Sequence, residues 1–114
     1  DEARRIVENA GTGHFMAPPT NLDELGALAS RAALLLGNDS APRHIAAALG
    51  TPTVVPTGAT RPENWTLPEP IHKTVHLDIE CRPCSSNTCS RKDVACMDML
   101  EPVKVFDVIE DLLK

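Results

Sequence analysis

The residues best placed to do chemistry follow a run of leucines: Gly37-Asn38-Asp39-Ser40, then Ala41-Pro42-Arg43-His44. An apolar strand that turns into a helix through small polar residues leaves the first helical N–H groups unpaired. It also sets the positive end of the helix dipole at the carboxyl end of the strand, a combination suited to a phosphate. Gly37, Ser40 and Ala41 are small enough to let a ligand approach the main chain. Asp39 can accept hydrogen bonds from sugar hydroxyls, and His44 projects about one turn further along the same helix. Pro42 costs little so early in a helix. A plainer reading fits the same residues: Asp39 or Ser40 is an N-cap worth about 1 kcal/mol, and His44 lies on the surface. The pattern alone leaves both open.

A second group with chemical potential is the cysteine segment, Cys81, Cys84, Cys89 and Cys96, spaced C-x2-C-x4-C-x6-C within one expected loop. Four thiolates this close can hold a tetrahedral structural zinc, with Arg82, Arg91 and Lys92 offsetting the excess negative charge. Reduced, partly buried cysteines in an ordered loop are the bland alternative. Disulfides are a third, with three pairings to choose from. The histidine of a zinc knuckle is absent. Gly11-Thr12-Gly13 has no strand before it and reads as a helix stop.

The elements that would position these groups alternate in type. An opening helix ends at Gly11 or Gly13, and residues 14–17 read as a short strand closed by Pro18-Pro19. Asn21 and Glu24 form a capping box, and Leu22, Leu25, Leu28 and Ala29 then repeat at helical spacing. Residues 33–36 are a continuous apolar run, as in a strand covered on both faces. An alanine-rich helix from about Ser40 stops at Gly50, and Thr53 to Val55 form another strand. Residues 73–79 alternate as a half-exposed strand does, with His72 and His76 beside or on it and solvated. The last helix has Pro102 in its first turn, Val103, Phe106, Ile109 and Leu113 inward, and Asp107, Glu110 and Asp111 outward. Helices alternating with short buried strands predict an α/β fold with a parallel sheet flanked by helices. Only three or four strands are on offer, so a missing part of the chain or a partner is expected to cover the sheet's edges.

Length and composition bound the rest. The 114 residues suffice for one domain, and aromatics make up only 3%, so the core lacks large side chains. A formal charge of −5 argues against a nucleic-acid binder, which needs a basic face. No apolar run reaches the length of a membrane span and no export signal is visible, so a cytoplasmic setting is expected. The chain opens on Asp1 in what reads as a helix already under way, which suggests a piece of a longer protein.

Taken together, the stretch GNDSAPRHIAAALGTPTVVPTGATRPENW closely resembles the motif of the bacterial heptosyltransferases, glycosyltransferase family 9. Asp39, Ser40, Pro42, His44, Gly50, Pro52, Gly58, Thr60, Pro62 and Trp65 all fall in step with it. The helix-strand lead-in TNLDELGALASRAALLLG and the cysteine-rich CRPCSSNTCSRKDVACM are similar to family segments as well. The resemblance implies residues 1–114 as the later part of a Rossmann-like C-terminal donor domain of a GT-B enzyme. Residues 81–96 would be its cysteine-rich loop and residues 101–114 its terminal helix.

It further implies inverting transfer of heptose from ADP-heptose, or a similar nucleotide sugar, to a lipopolysaccharide core sugar. The work would be cytoplasmic, at the inner face of the inner membrane with at most peripheral contact, and would need no obligatory cofactor. The catalytic base belongs to the family's N-terminal domain, so this chain alone is expected to be incomplete and inactive. Asp39 would hold donor-sugar hydroxyls, Ser40 and the Ala41 backbone would meet the diphosphate, and His44 would support the pocket. Gly58 and Thr60 would shape the adjoining wall, and Thr20 would lie near the base. Trp65 would anchor the proline-rich loop.

Three departures from the motif stand out: Ala41 replaces a glycine, Arg43 an apolar residue, and the loop Phe-Gly-Pro-Thr-Asp is here Thr57-Gly58-Ala59-Thr60-Arg61, a base for an acid at its end. Arg43 would then meet phosphate or face water. The alternative class is a non-catalytic remnant or a zinc-stabilised interaction module.

Overall fold

A computed structural model of the chain describes residues 1–64 and 67–114. Its frame is a parallel sheet in the order β1-β2-β3, with β1 at Leu35–Leu36, β2 at Thr53–Pro56 and β3 at His72–Val75. Before it come α1 (Glu2–Ala10) and α2 (Leu22–Arg31). Helix α3 (Ala41–Ala48) joins β1 to β2, and α4 (Ala95–Asp98) and α5 (Pro102–Leu113) follow β3. The expected α/β architecture with a parallel sheet is what forms.

Local chemistry sets several boundaries. Asn21 and Glu24 make both reciprocal bonds of the capping box, each at 2.9 Å, which fixes the start of α2. Gly11 at φ 85° ends α1, and Gly50 at φ 79° takes the chain out of α3 toward β2, a conformation most side chains resist. Pro42 and Pro102 each occupy the first turn of their helices, where a missing N–H is harmless.

Both faces of β2 are covered. Val54 joins Val75, Leu100 and Val105 in one buried cluster, with Leu34, Leu77, Val108, Ile109 and Leu112 packed around it. Thr53 and Val55 point the opposite way by strand alternation and are fully buried too. Helices α2 and α3 pack on each other and α3 on β2, while α5 packs on β2 and β3. The Thr51 hydroxyl donates to the Ala29 carbonyl at 2.7 Å, tying the end of α2 to the approach to β2.

Five expectations about elements are corrected. The strand expected at residues 73–79 is only His72–Val75, which leaves His76 beyond its end. Residues 14–17 form no strand, because no neighbouring strand lies there to pair with them. The leucine run yields only Leu35–Leu36, at the sheet edge, and Leu36 is 53% exposed rather than covered on both faces. On α5 the inward stripe is Val105, Val108, Ile109 and Leu112, whereas Val103, Phe106 and Leu113 are exposed. Cys96 belongs to α4, not to the loop. Asp107, Glu110 and Asp111 are exposed as expected. Trp65 lies outside the described residues. No described helix is long and apolar enough to cross a membrane.

Candidate functional site

The corner between β1 and α3 is built as the sequence suggests. Gly37 N–H donates to the Val54 carbonyl at 3.2 Å, the last ladder bond before the chain leaves the sheet. Ser40 then takes the N-cap position of α3 with extended backbone, φ −151° and ψ 177°. Its side chain makes no capping bond; the hydroxyl turns instead to the Asn38 carbonyl at 3.4 Å. The first amides of α3 are therefore not consumed by a side-chain cap, and the plain N-cap reading of Ser40 loses its hydrogen bond.

Asp39, Ser40, Ala41, His44 and Thr60 line one hollow of about 500 Å³. Five of the seven expected donor-site residues thus meet at a single place. Gly58 does not line it. It packs behind the wall, where an added Cβ would stand 3.0 Å from Met97 Cγ and 3.1 Å from Cys96 Sγ. Thr20 lies in a different hollow, with Phe15, Pro18, Pro19 and Leu28, and so does not join the other residues. An apolar hollow of about 450 Å³ adjoins the corner through Gly37 and Asn38, lined by Leu36, Met97, Val105 and Phe106. Its walls offer a sugar phosphate little to bind.

The electrostatics of the corner centre on Asp39. Arg43 Nη1 donates to Asp39 Oδ1 at 2.9 Å, and the Arg43 side chain is fully buried while that of Asp39 is 18% exposed. His44 Nε2 stands 3.8 Å from the same oxygen, on a side chain that is 46% exposed. Arg43 therefore neither meets phosphate nor faces water. It turns inward because the i, i+4 spacing brings its guanidinium under the Asp39 carboxylate. That spacing was visible in the sequence.

His72 is the second buried surprise. It opens β3 with only 6% exposure, not solvated as expected, and its Nδ1 lies 3.0 Å from the Thr53 hydroxyl. Burial pushes its pKa below the usual histidine value, Glu69 at 3.7 Å pulls the other way, and the Arg43 charge lowers it further. His76 is half-buried, 3.2 Å from Asp78.

The outer wall of the hollow is held by the cysteine segment. Arg82 Nε donates to the Gly58 carbonyl at 2.7 Å, and its Nη2 reaches Thr57 Oγ1 at 3.1 Å and the Thr60 carbonyl at 3.3 Å. Ser85 N–H donates to the Ala59 carbonyl at 2.8 Å. Arg82 thus clamps the turn that carries Thr60, and no local pattern in the sequence announces this.

The thiols themselves are all free. Cys81, Cys84 and Cys89 line a small hollow of about 180 Å³ with Ser86, Asn87 and Arg91, while Cys96 faces Gly58 from α4. Among the described residues no group of three or more His, Cys, Asp or Glu is gathered as a metal site, so this geometry does not carry the zinc reading. Of the cations expected to offset thiolates, Arg82 is engaged at the turn, whereas Arg91 pairs with Asp93 at 2.9 and 3.2 Å while still lining the cysteine hollow. That exposed pair raises the pKa of Arg91 and lowers that of Asp93.

Comparison with known proteins adds the family. The chain is 39% identical over 84 residues to lipooligosaccharide heptosyltransferase 2 of Campylobacter jejuni subsp. jejuni serotype O:2, a match covering 71% of this chain and 26% of that protein. It is 50% identical over 50 residues to lipopolysaccharide heptosyltransferase 3 of Escherichia coli strain K12, covering 44% of this chain and 14% of the relative. The match thus spans about a quarter of the length of the Campylobacter protein. No solved structure gives a significant match. The family model for glycosyltransferase family 9 (heptosyltransferase) matches residues 1–95, most of the chain and all of the corner, and this chain belongs to that family.

Proposed function

We propose that this chain forms part of the nucleotide-sugar site of a glycosyltransferase acting in lipopolysaccharide assembly. One observation carries the reading: Asp39, Ser40, Ala41, His44 and Thr60 converge on one hollow at the start of an eight-residue helix, within the family match. In this reading the hollow takes ADP-heptose or a related donor. The diphosphate lies against the start of α3, where the helix dipole and the Ala41 N–H favour negative charge, Pro42 having no N–H and that of Arg43 donating to the Ser40 carbonyl at 3.0 Å. Asp39 accepts hydrogen bonds from sugar hydroxyls, and the exposed imidazole of His44 closes the side of the site. Thr60 supplies the opposite wall.

The chemistry is an inverting displacement. A hydroxyl of a core sugar attacks the anomeric carbon, the bond from that carbon to the diphosphate oxygen breaks, and ADP leaves with the electron pair. The helix end stabilises the charge growing on the leaving group. A base that takes the acceptor's proton is expected on a second domain across the cleft, in a GT-B arrangement of which residues 1–114 form a late portion of the donor half. No residue here is assigned that task. The work belongs on the cytoplasmic side, at most in peripheral contact with the membrane.

Calorimetry with ADP-heptose and with ADP tests the proposal. Asp39→Asn should weaken the sugar nucleotide about tenfold, the cost of a charged hydrogen bond, and leave ADP nearly unchanged. Equal affinity of both ligands for wild type and variant would remove Asp39 from the sugar site. Asparagine is the better probe than alanine, because it keeps an oxygen for Arg43.

A further inference from the structure

We infer that Arg43 is a positioning residue for sugar recognition: from outside the hollow it fixes the Asp39 carboxylate so that one oxygen faces the donor's hydroxyls. This inference rests on the donor-site reading above. Arg43 does not line the hollow; Asp39 does. The guanidinium is completely buried, so its position is set by packing and cannot drift as a surface arginine would. From that fixed point Nη1 holds Oδ1 at 2.9 Å, and Oδ1 is also the oxygen nearest His44. Both contacts engage Oδ1.

A carboxylate on a bend has two torsions free, and a ligand that uses it must first stop that motion. Arg43 stops it in advance. The cost is a buried cation, which nature tolerates when a paired geometry is itself the product. A carboxylate only accepts hydrogen bonds, so hydroxyl donors are favoured over groups that would themselves accept. Arg43 therefore contributes to discrimination between a sugar nucleotide and the bare nucleotide, without touching either.

The test is calorimetry on the protein, well below its melting temperature, with ADP-heptose and ADP as probes and Arg43→Met, Arg43→Lys and Asp39→Asn as variants. Arg43→Met should weaken ADP-heptose about tenfold while ADP changes less than about threefold, and Arg43→Lys should recover much of the loss, since a cation is restored. In a double-mutant cycle, Asp39→Asn should cost clearly less in the Arg43→Met background than in wild type. Additive effects, or equal loss of both ligands, overturn the positioning role and leave the donor site standing. If Arg43→Met does not fold, the cycle run on the uncharged Arg43→Gln decides in the same way. Should wild type bind neither probe, the donor-site reading falls, and the role of Arg43 falls with it.

Discussion

The corner at residues 37–44 and the cysteine segment at residues 81–96 serve the same hollow and are made in opposite ways. The corner is regular: one strand end, one N-cap, one helix of eight residues, and an ion pair between residues four apart. The cysteine segment is irregular, with Ser85, Lys92 and Val94 all at positive φ, a region that β-branched Val94 rarely enters. Its shape comes from distant bonds, chiefly those of Arg82 to a turn more than twenty residues earlier. The difference teaches where function and support divide. On the proposed donor-site reading the corner carries the groups that meet a ligand, and the segment braces the wall opposite.

The largest effect should come from breaking the corner's buried pair. Asp39→Ala leaves the Arg43 guanidinium without its carboxylate and should cost about 3 kcal/mol in urea unfolding, near the low end for a broken buried pair. Asp39→Asn should cost clearly less. A loss below about 1 kcal/mol for alanine would mean the pair is not effectively buried. Next comes the brace. Arg82→Met removes three hydrogen bonds and should cost about 2 kcal/mol, with faster amide exchange at Ser85 and the 57–60 turn. Unchanged exchange would show that the wall stands without it.

The comparison sharpens with pH. The lowered pKa of His72 means the fold prefers the neutral ring. The unfolded chain then binds the proton more readily, so stability is fully present above about pH 6.5 and falls as the pH drops below it, by at most about 1.4 kcal/mol per pH unit. His72→Asn should flatten that slope. A slope of the opposite sign would mean that Glu69 governs the ring instead. The smallest effect is expected from metal removal: a strong chelator should move the melting temperature by less than about 1 °C, because the four sulfurs are not gathered. Stoichiometric zinc in native mass spectrometry, lost together with stability, would revive the zinc reading.

What the sequence disclosed follows the same division. The capping box of Asn21 and Glu24, the proline-led helices and the glycine stops were legible because each is decided within a few residues. The corner was legible for that reason too, and its Asp39, Ser40, Ala41 and His44 meet Thr60 at one hollow. Long-range choices were not. Residues 14–17 have strand-like composition but no strand beside them, and α5 carries apolar residues on more than one stripe, so only packing could select Val105 over Val103. The habit of placing charge in water hid Arg43 and His72, although the four-residue step from Asp39 to Arg43 was in plain view. Arg82 left no local trace at all.

The most direct test is backbone NMR of the protein titrated with ADP-heptose. The account predicts the largest amide shifts at Ala41, His44 and Thr60, with residues 81–89 following weakly through Arg82. Shifts centred on Leu36, Val105 and Phe106, or none at the corner, would contradict it.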